Sequence, residues 1–112
     1  MTRGVFFNGF SYLIMLSVLK RRSVVAQDVR TDLVNATTEE MTLGGVASTL
    51  ATLHRNGDLA RERARVEGRN GKGAQPVFHY SLTNAGAARV SWMNRAVRAL
   101  LPPEDPPQDE RR

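Results

Sequence analysis

The chain has 112 residues, enough for one compact core and short of what two would need. It holds no cysteine, which excludes disulfides, thiol nucleophiles and the common structural zinc patterns. Sixteen Lys and Arg stand against eleven Asp and Glu, a formal charge of +5 that favours a polyanionic partner.

Residues 1–10 carry Val5, Phe6, Phe7 and Phe10 without a sustained period and are expected to form an arm. Ser11 is read as the N-cap of a first helix, and the run Tyr12 to Leu19 is apolar enough to be buried on most sides. That run is shorter than the ~20 residues of a membrane span and is followed by Lys20, Arg21 and Arg22 rather than a cleavage site. A soluble, cytoplasmic protein with no membrane partner is therefore expected.

Val24 to Val34 places Ala26, Val29 and Leu33 at helical spacing and predicts a second helix, followed by a polar stretch from Asn35 to Glu40. Thr42 is the cap of a third helix whose core side is expected to hold Leu43, Val46, Leu50 and Leu53, and Asn56-Gly57 ends it. Alternation then replaces the helical period. Leu59 to Val66 reads as a strand with Arg61, Arg63 and Arg65 on one face, and Val77 to Thr83 as a second with Phe78, Tyr80 and Leu82 on one face. Between them 68–73 is a glycine-rich basic tip carrying Arg69 and Lys72. Thr83 is expected to cap a last helix to about Leu101, and the proline-rich 102–112 to be a disordered tail.

Three helices followed by a hairpin is the winged helix-turn-helix order. The expected class is α+β, mainly α, with residues 11–83 forming the winged unit and its two-stranded wing, and 84–101 a C-terminal dimerisation helix. Such a unit sends its later helix into the major groove of DNA. With the apolar positions inward, Gly44, Gly45, Ser48, Thr52 and Arg55 fall on the outer side of the third helix, flanked by Thr42 and Thr49. Two glycines in a first turn each cost about 1 kcal/mol relative to Ala, which suggests close backbone approach to DNA over simple flexibility. The wing segment sets five cations, Arg61, Arg63, Arg65, Arg69 and Lys72, against Glu62 and Glu67, and is expected to hold phosphate or the minor groove. The bland alternative is a solvated edge ribbon.

Two stretches resemble the PadR family of winged-helix regulators. The family motif Leu-Gly-x-Val-Tyr-x-Thr-Leu-x-x-Leu-x-x-x-Gly is matched from Leu43 to Gly57, with Ala47 in place of the tyrosine, and Tyr80 to Gly86 resembles Tyr-x-Leu-Thr-x-x-Gly. A Tyr-Gly pair that often opens the family's second helix is Val25-Ala26 here. The resemblance spans roughly Leu13 to Leu101. It implies a homodimer built through the last helix, where Val90, Met93, Val97 and Leu100 form an apolar stripe, and it admits a small-molecule effector at the dimer interface, with Trp92 the residue to watch, though a large apolar filler between subunits is the favoured reading of Trp92.

The function expected is a sequence-specific double-stranded DNA-binding regulator, homodimeric and repressing by occupancy. The alternative is a winged-helix protein-interaction module, an adaptor or anti-repressor, whose basic wing is incidental. No catalytic residues, metal ligands or cofactor are expected. No nucleophile has a base nearby, and His54 and His79 lie in separate segments without carboxylate spacing.

Overall fold

The computed structural model describes residues 8–66 and 75–103, in the order α1 (Gly9–Arg21), α2 (Ala26–Thr37), α3 (Leu43–Arg55), β1 (Leu59–Val66), β2 (Gln75–Leu82) and α4 (Asn84–Leu100). Among the described residues no helix is long and apolar enough to cross a membrane.

Helix α1 starts two residues before the expected cap. Asn8, in extended conformation, accepts the Ser11 amide through Oδ1 at 2.9 Å, so Ser11 lies inside the first turn and is buried. Gly9 and Phe10, the end of the expected arm, are helical; residues 1–7 lie outside the described set. Ile14, Met15 and Val18 are fully buried, each worth about 2 kcal/mol of transfer free energy. Leu13 and Leu19 on the same helix stay exposed. Helix α1 packs on α2, α3, α4 and β2, and so forms the central support of the fold.

Val24, expected inside α2, is instead paired with β2. Its amide donates to Tyr80 O at 3.0 Å and its carbonyl accepts from the Tyr80 amide at 2.8 Å. Val25 becomes the cap position, and α2 runs on through Asn35, Ala36 and Thr37 before ending in a left-handed Thr38, φ 58°. Ser17 Oγ donates to Asp32 Oδ2 at 2.7 Å while Arg21 donates Nε and Nη2 to the same carboxylate at 2.8 Å each, clamping α1 to α2. These donors hold the Asp32 carboxyl at about 2, the hydrogen bonds from Arg21 being the largest influence.

The third helix follows its expected bounds. Thr42 Oγ1 accepts the Gly45 amide at 3.0 Å. At the other end Gly57 (φ 89°) donates to His54 O at 3.1 Å and Asp58 to Leu53 O at 3.0 Å, a Schellman termination that satisfies two terminal carbonyls. Strands β1 and β2 are antiparallel, with Leu59 opposite Leu82, Arg61 opposite Tyr80 and Arg63 opposite Phe78. The core gathers Ile14, Met15 and Val18 with Val29, Leu33, Val46, Leu50, Leu53, Leu59, Tyr80 and Val90.

Candidate nucleic-acid interface

On α3 the inward residues Val46, Leu50 and Leu53 are buried, and at 3.6 residues per turn they leave an outward arc centred on Gly44, Ser48 and Arg55. Gly44, Gly45, Ser48 and Arg55 are exposed, whereas Thr49 and Thr52 are half-buried at the flank. Leu43, expected on the core side, is 44% exposed. It opens the helix before the core reaches it, and the apolar period extends one position beyond the residues that pack.

The hydroxyls differ in what they can still offer. Thr42 Oγ1 already accepts from Gly45, and Thr49 Oγ1 donates to Gly45 O at 3.1 Å. Arg55 Nη2 donates to Thr52 Oγ1 at 3.2 Å. The Ser48 hydroxyl bonds no other described residue, and Ser48 is exposed where Thr49 and Thr52 are half-buried. A Cβ on Gly44 would meet nothing within 4 Å, so packing inside the chain does not require that glycine, whereas one on Gly45 would lie a tight 3.1 Å from Thr42 Oγ1, the cap of the helix.

In the wing, directly opposed residues share a face, which puts Arg61 and Arg63 on the same side as Tyr80 and Phe78. The basic and the aromatic faces are therefore one. Leu59 and Tyr80 bury its base, and farther out the exposed Arg61 lies over Phe78, with Cζ 4.2 Å from the ring centroid. Such a stack is worth about 0.5–1 kcal/mol at an exposed site. Arg65 is in β1, opposite Pro76. Arg69 and Lys72 lie outside the described residues.

Behind α3 the chain is tied together through the expected cap Thr83 and through Arg30, Asp58 and Arg89, which the sequence reading does not single out. Arg30 Nε donates to Met41 O at 2.7 Å, holding the α2–α3 turn. Thr83, the cap of α4, accepts the Gly86 amide at 2.9 Å and donates its hydroxyl to Gly57 O at 2.7 Å, while its own amide donates to Asp58 O at 3.1 Å. Gly86 lies so close to that carbonyl that a Cβ would come within 2.0 Å of Asp58 O. Arg89 Nε donates to Asp58 Oδ1 at 3.1 Å, and Asp58 is 2% exposed. The Thr-x-x-Gly spacing is thus a joint between the end of α3 and the start of α4.

The stripe on α4 is continuous, but its two ends face different surroundings. Val90, expected at a dimer interface, is 2% exposed and belongs to the chain's own core. Met93 and Val97 are half-buried, and Leu100 is 84% exposed, with Trp92 56% and Leu101 62% exposed. Helix α4 runs past the body it is rooted in, and its apolar side loses cover toward the C-terminal end. Tyr12 on α1 donates its hydroxyl to Asn94 Oδ1, fastening the middle of α4. Among the described residues no group of three His, Cys, Asp or Glu could hold a metal ion.

The sequence matches no family model and no curated protein. Solved structures resemble it closely in shape. A proposed transcriptional regulator from Thermoplasma acidophilum has a TM-score of 0.68 at 20% identity, covering 88% of each chain. Bacillus subtilis PadR, solved in complex with operator DNA, has a TM-score of 0.62 at 13% identity over 89% of this chain and 51% of its own. The winged-helix DNA-binding protein of STIV has a TM-score of 0.58 at 15% identity over 80% of this chain and 88% of its own. At such identities the likeness shows the fold, a PadR-like winged helix.

Proposed function

We propose that this PadR-like winged-helix chain is a sequence-specific double-stranded DNA-binding transcriptional regulator, working as a homodimeric repressor. The observation that carries the reading is the exposed arc on α3: Gly44, which no internal contact requires, a serine with its hydroxyl available and an arginine at the end, on the helix this fold presents outward. A regulator of the same fold, Bacillus subtilis PadR, has been solved in complex with operator DNA.

In this reading α3 enters the major groove, with Ser48 and Thr52 meeting base edges and Gly44 and Gly45 letting backbone come close to the duplex. Thr42, Thr49 and Arg55 flank that contact and hold phosphate or sugar. The helix N-terminus points its unpaired amides and positive dipole end at a phosphate. Arg61, Arg63, Arg65, Arg69 and Lys72 of the wing neutralise flanking phosphates, which sets register and strengthens binding without selecting sequence.

Dimerisation proceeds through the uncovered part of α4, where Met93, Val97 and Leu100, joined by Trp92 and Leu101, bury against a second copy. Two-fold symmetry then presents two recognition helices about 34 Å apart to successive major grooves of a palindrome, and occupancy of a promoter blocks transcription. The test is selection of bound duplexes from a random pool, followed by footprinting. A palindromic protected site, whose base preference relaxes at defined positions in Ser48→Ala and Thr52→Ala, supports the reading. Specific binding by a stable monomer contradicts the dimer. Retention of affinity after all five wing cations are neutralised contradicts the phosphate role.

A further inference from the structure

We infer that Asp58 and Arg89 are positioning residues, a strut that fixes the direction of α4 relative to α3 and thereby the half-site spacing the dimer reads. The spacing role rests on the DNA-binding reading above; the fixing of the helix does not.

One contact locates a helix end but leaves the helix free to pivot. At the root of α4 the first anchor is made of backbone and cap: Thr83 bonded to the carbonyls of Gly57 and Asp58, and Gly86 pressed against Asp58 O. The second is the ion pair from Arg89 Nε to Asp58 Oδ1 at 3.1 Å; farther along, buried Val90 and the Tyr12–Asn94 bond hold α4 to the body, while these first two anchors tie it to the end of α3. Arg89 follows Gly86 by three residues, so both anchors lie on one side of α4, a turn apart. Two points separated along an axis fix a direction. Both anchors also end on one residue, Asp58, whose amide closes the α3 terminus on Leu53 O at 3.0 Å. The orientation of α4 is referred directly to the end of the helix that carries Ser48 and Arg55.

The pair is sheltered enough to act rigidly, the Asp58 side chain being 3% and the Arg89 side chain 16% exposed. Neither residue is on the outward arc of α3, so neither contacts bases in the proposed complex. Any effect on DNA must pass through geometry. In a dimer joined through α4, a small change in the angle at its root moves the two recognition helices relative to each other, which weakens a two-half-site contact and leaves a single half-site contact intact.

The experiment compares the wild type with the double variant Asp58→Asn, Arg89→Gln, which keeps hydrogen-bonding groups and leaves no lone buried charge. Retained helical circular dichroism and a cooperative melt establish that the variant folds; if it does not, Arg89→Lys, which keeps the charge with shorter reach, takes its place. Because the sequence has no cysteine, spin labels go cleanly on Ala47→Cys in α3 and Arg98→Cys in α4, both exposed, with unlabelled protein in excess. The strut predicts one narrow distance in the wild type and a distribution at least twice as broad in the variant. On DNA it predicts half-site affinity within about twofold of wild type, palindrome affinity lower by about tenfold, and a flattened preference for half-site spacing. An unchanged distance distribution overturns the strut. Equal losses on half-site and palindrome, or no loss on either, overturn the spacing role. Failure of the wild type to bind any palindrome overturns the DNA reading and the spacing role together, while the distances still decide whether the pair fixes the helix.

Discussion

Replacing Gly86 by Ala sets two effects against each other. Helix propensity favours Ala by about 1 kcal/mol inside a helix such as α4. Against it, the new Cβ would be placed 2.0 Å from Asp58 O, where ordinary contact begins near 3.4 Å. That oxygen cannot simply turn away, because it accepts the Thr83 amide at 3.1 Å and takes the weaker share, at 3.1 Å, of the Thr83 hydroxyl proton donated mainly to Gly57 O. Helix α4 must retreat by more than an ångström. Overpacking of this kind costs about 3 kcal/mol at the upper end of its usual range, and a weakened cap adds about 1 kcal/mol. After the propensity gain the net loss is about 3 kcal/mol, which for a domain of this size lowers Tm by more than about 10 °C. Urea unfolding should show a lower midpoint with unchanged slope. A Tm equal to or above wild type would refute the close packing of α4 on Asp58.

Gly44→Ala should behave in the opposite way: with nothing within 4 Å of its Cβ, the protein should gain about 0.5–1 kcal/mol in thermal unfolding while duplex affinity falls by about tenfold. Unchanged affinity would leave flexibility as the reason for that glycine. The Asp32 carboxyl, held at about 2, against an unfolded value of about 3.9, contributes stability that is complete above the unfolded value and disappears as pH falls through about 2. The stability difference between wild type and Asp32→Asn should therefore be constant above about pH 5 and shrink steadily below about pH 4, and a difference independent of pH would contradict the clamp. Arg61→Gln with Arg63→Gln should reduce the slope of log affinity against log salt by about 2 and weaken all duplexes alike, whereas an unchanged slope would make this face a solvated ribbon.

How much of this was legible in the sequence depended on whether a feature is local. Helix α3 could be read to the residue because Thr42 caps it and Gly57 supplies the positive φ that ends it. The start of α1 differs from its expected place because Asn8 and Ser11 are equally good caps in isolation, and burial of Ser11 decides between them. Val24 fits a helical period, yet it pairs with Tyr80, far along the chain, and that bond moves the start of α2. The end of α2 lies beyond its expected limit because Thr38, a β-branched residue with positive φ, gives none of the signal a glycine would.

Periodicity also finds a stripe without finding what covers it. Leu43 and Val90 both obey their helical pattern, but one is exposed and the other belongs to the core, because the extent of the neighbouring elements decides each case. The Asp58–Arg89 pair spans 31 residues and joins two ordinary charged positions, so nothing nearby in the sequence marks it. The motif from Tyr80 to Gly86 was visible by resemblance, and its reason is now physical: a buried tyrosine, a cap tied back to the α3 terminus, and a glycine where no Cβ fits.

The most direct test of the central claim is binding of the purified protein to random and self-genomic duplexes across a salt series, with mass determined in the same buffer. A dimer whose affinity falls with a log–log slope of about −4 or steeper, and which retains a tightly bound, sequence-selected subset, is the predicted result. A folded protein with no duplex affinity even at low salt would contradict it and point to a protein partner for the same surfaces.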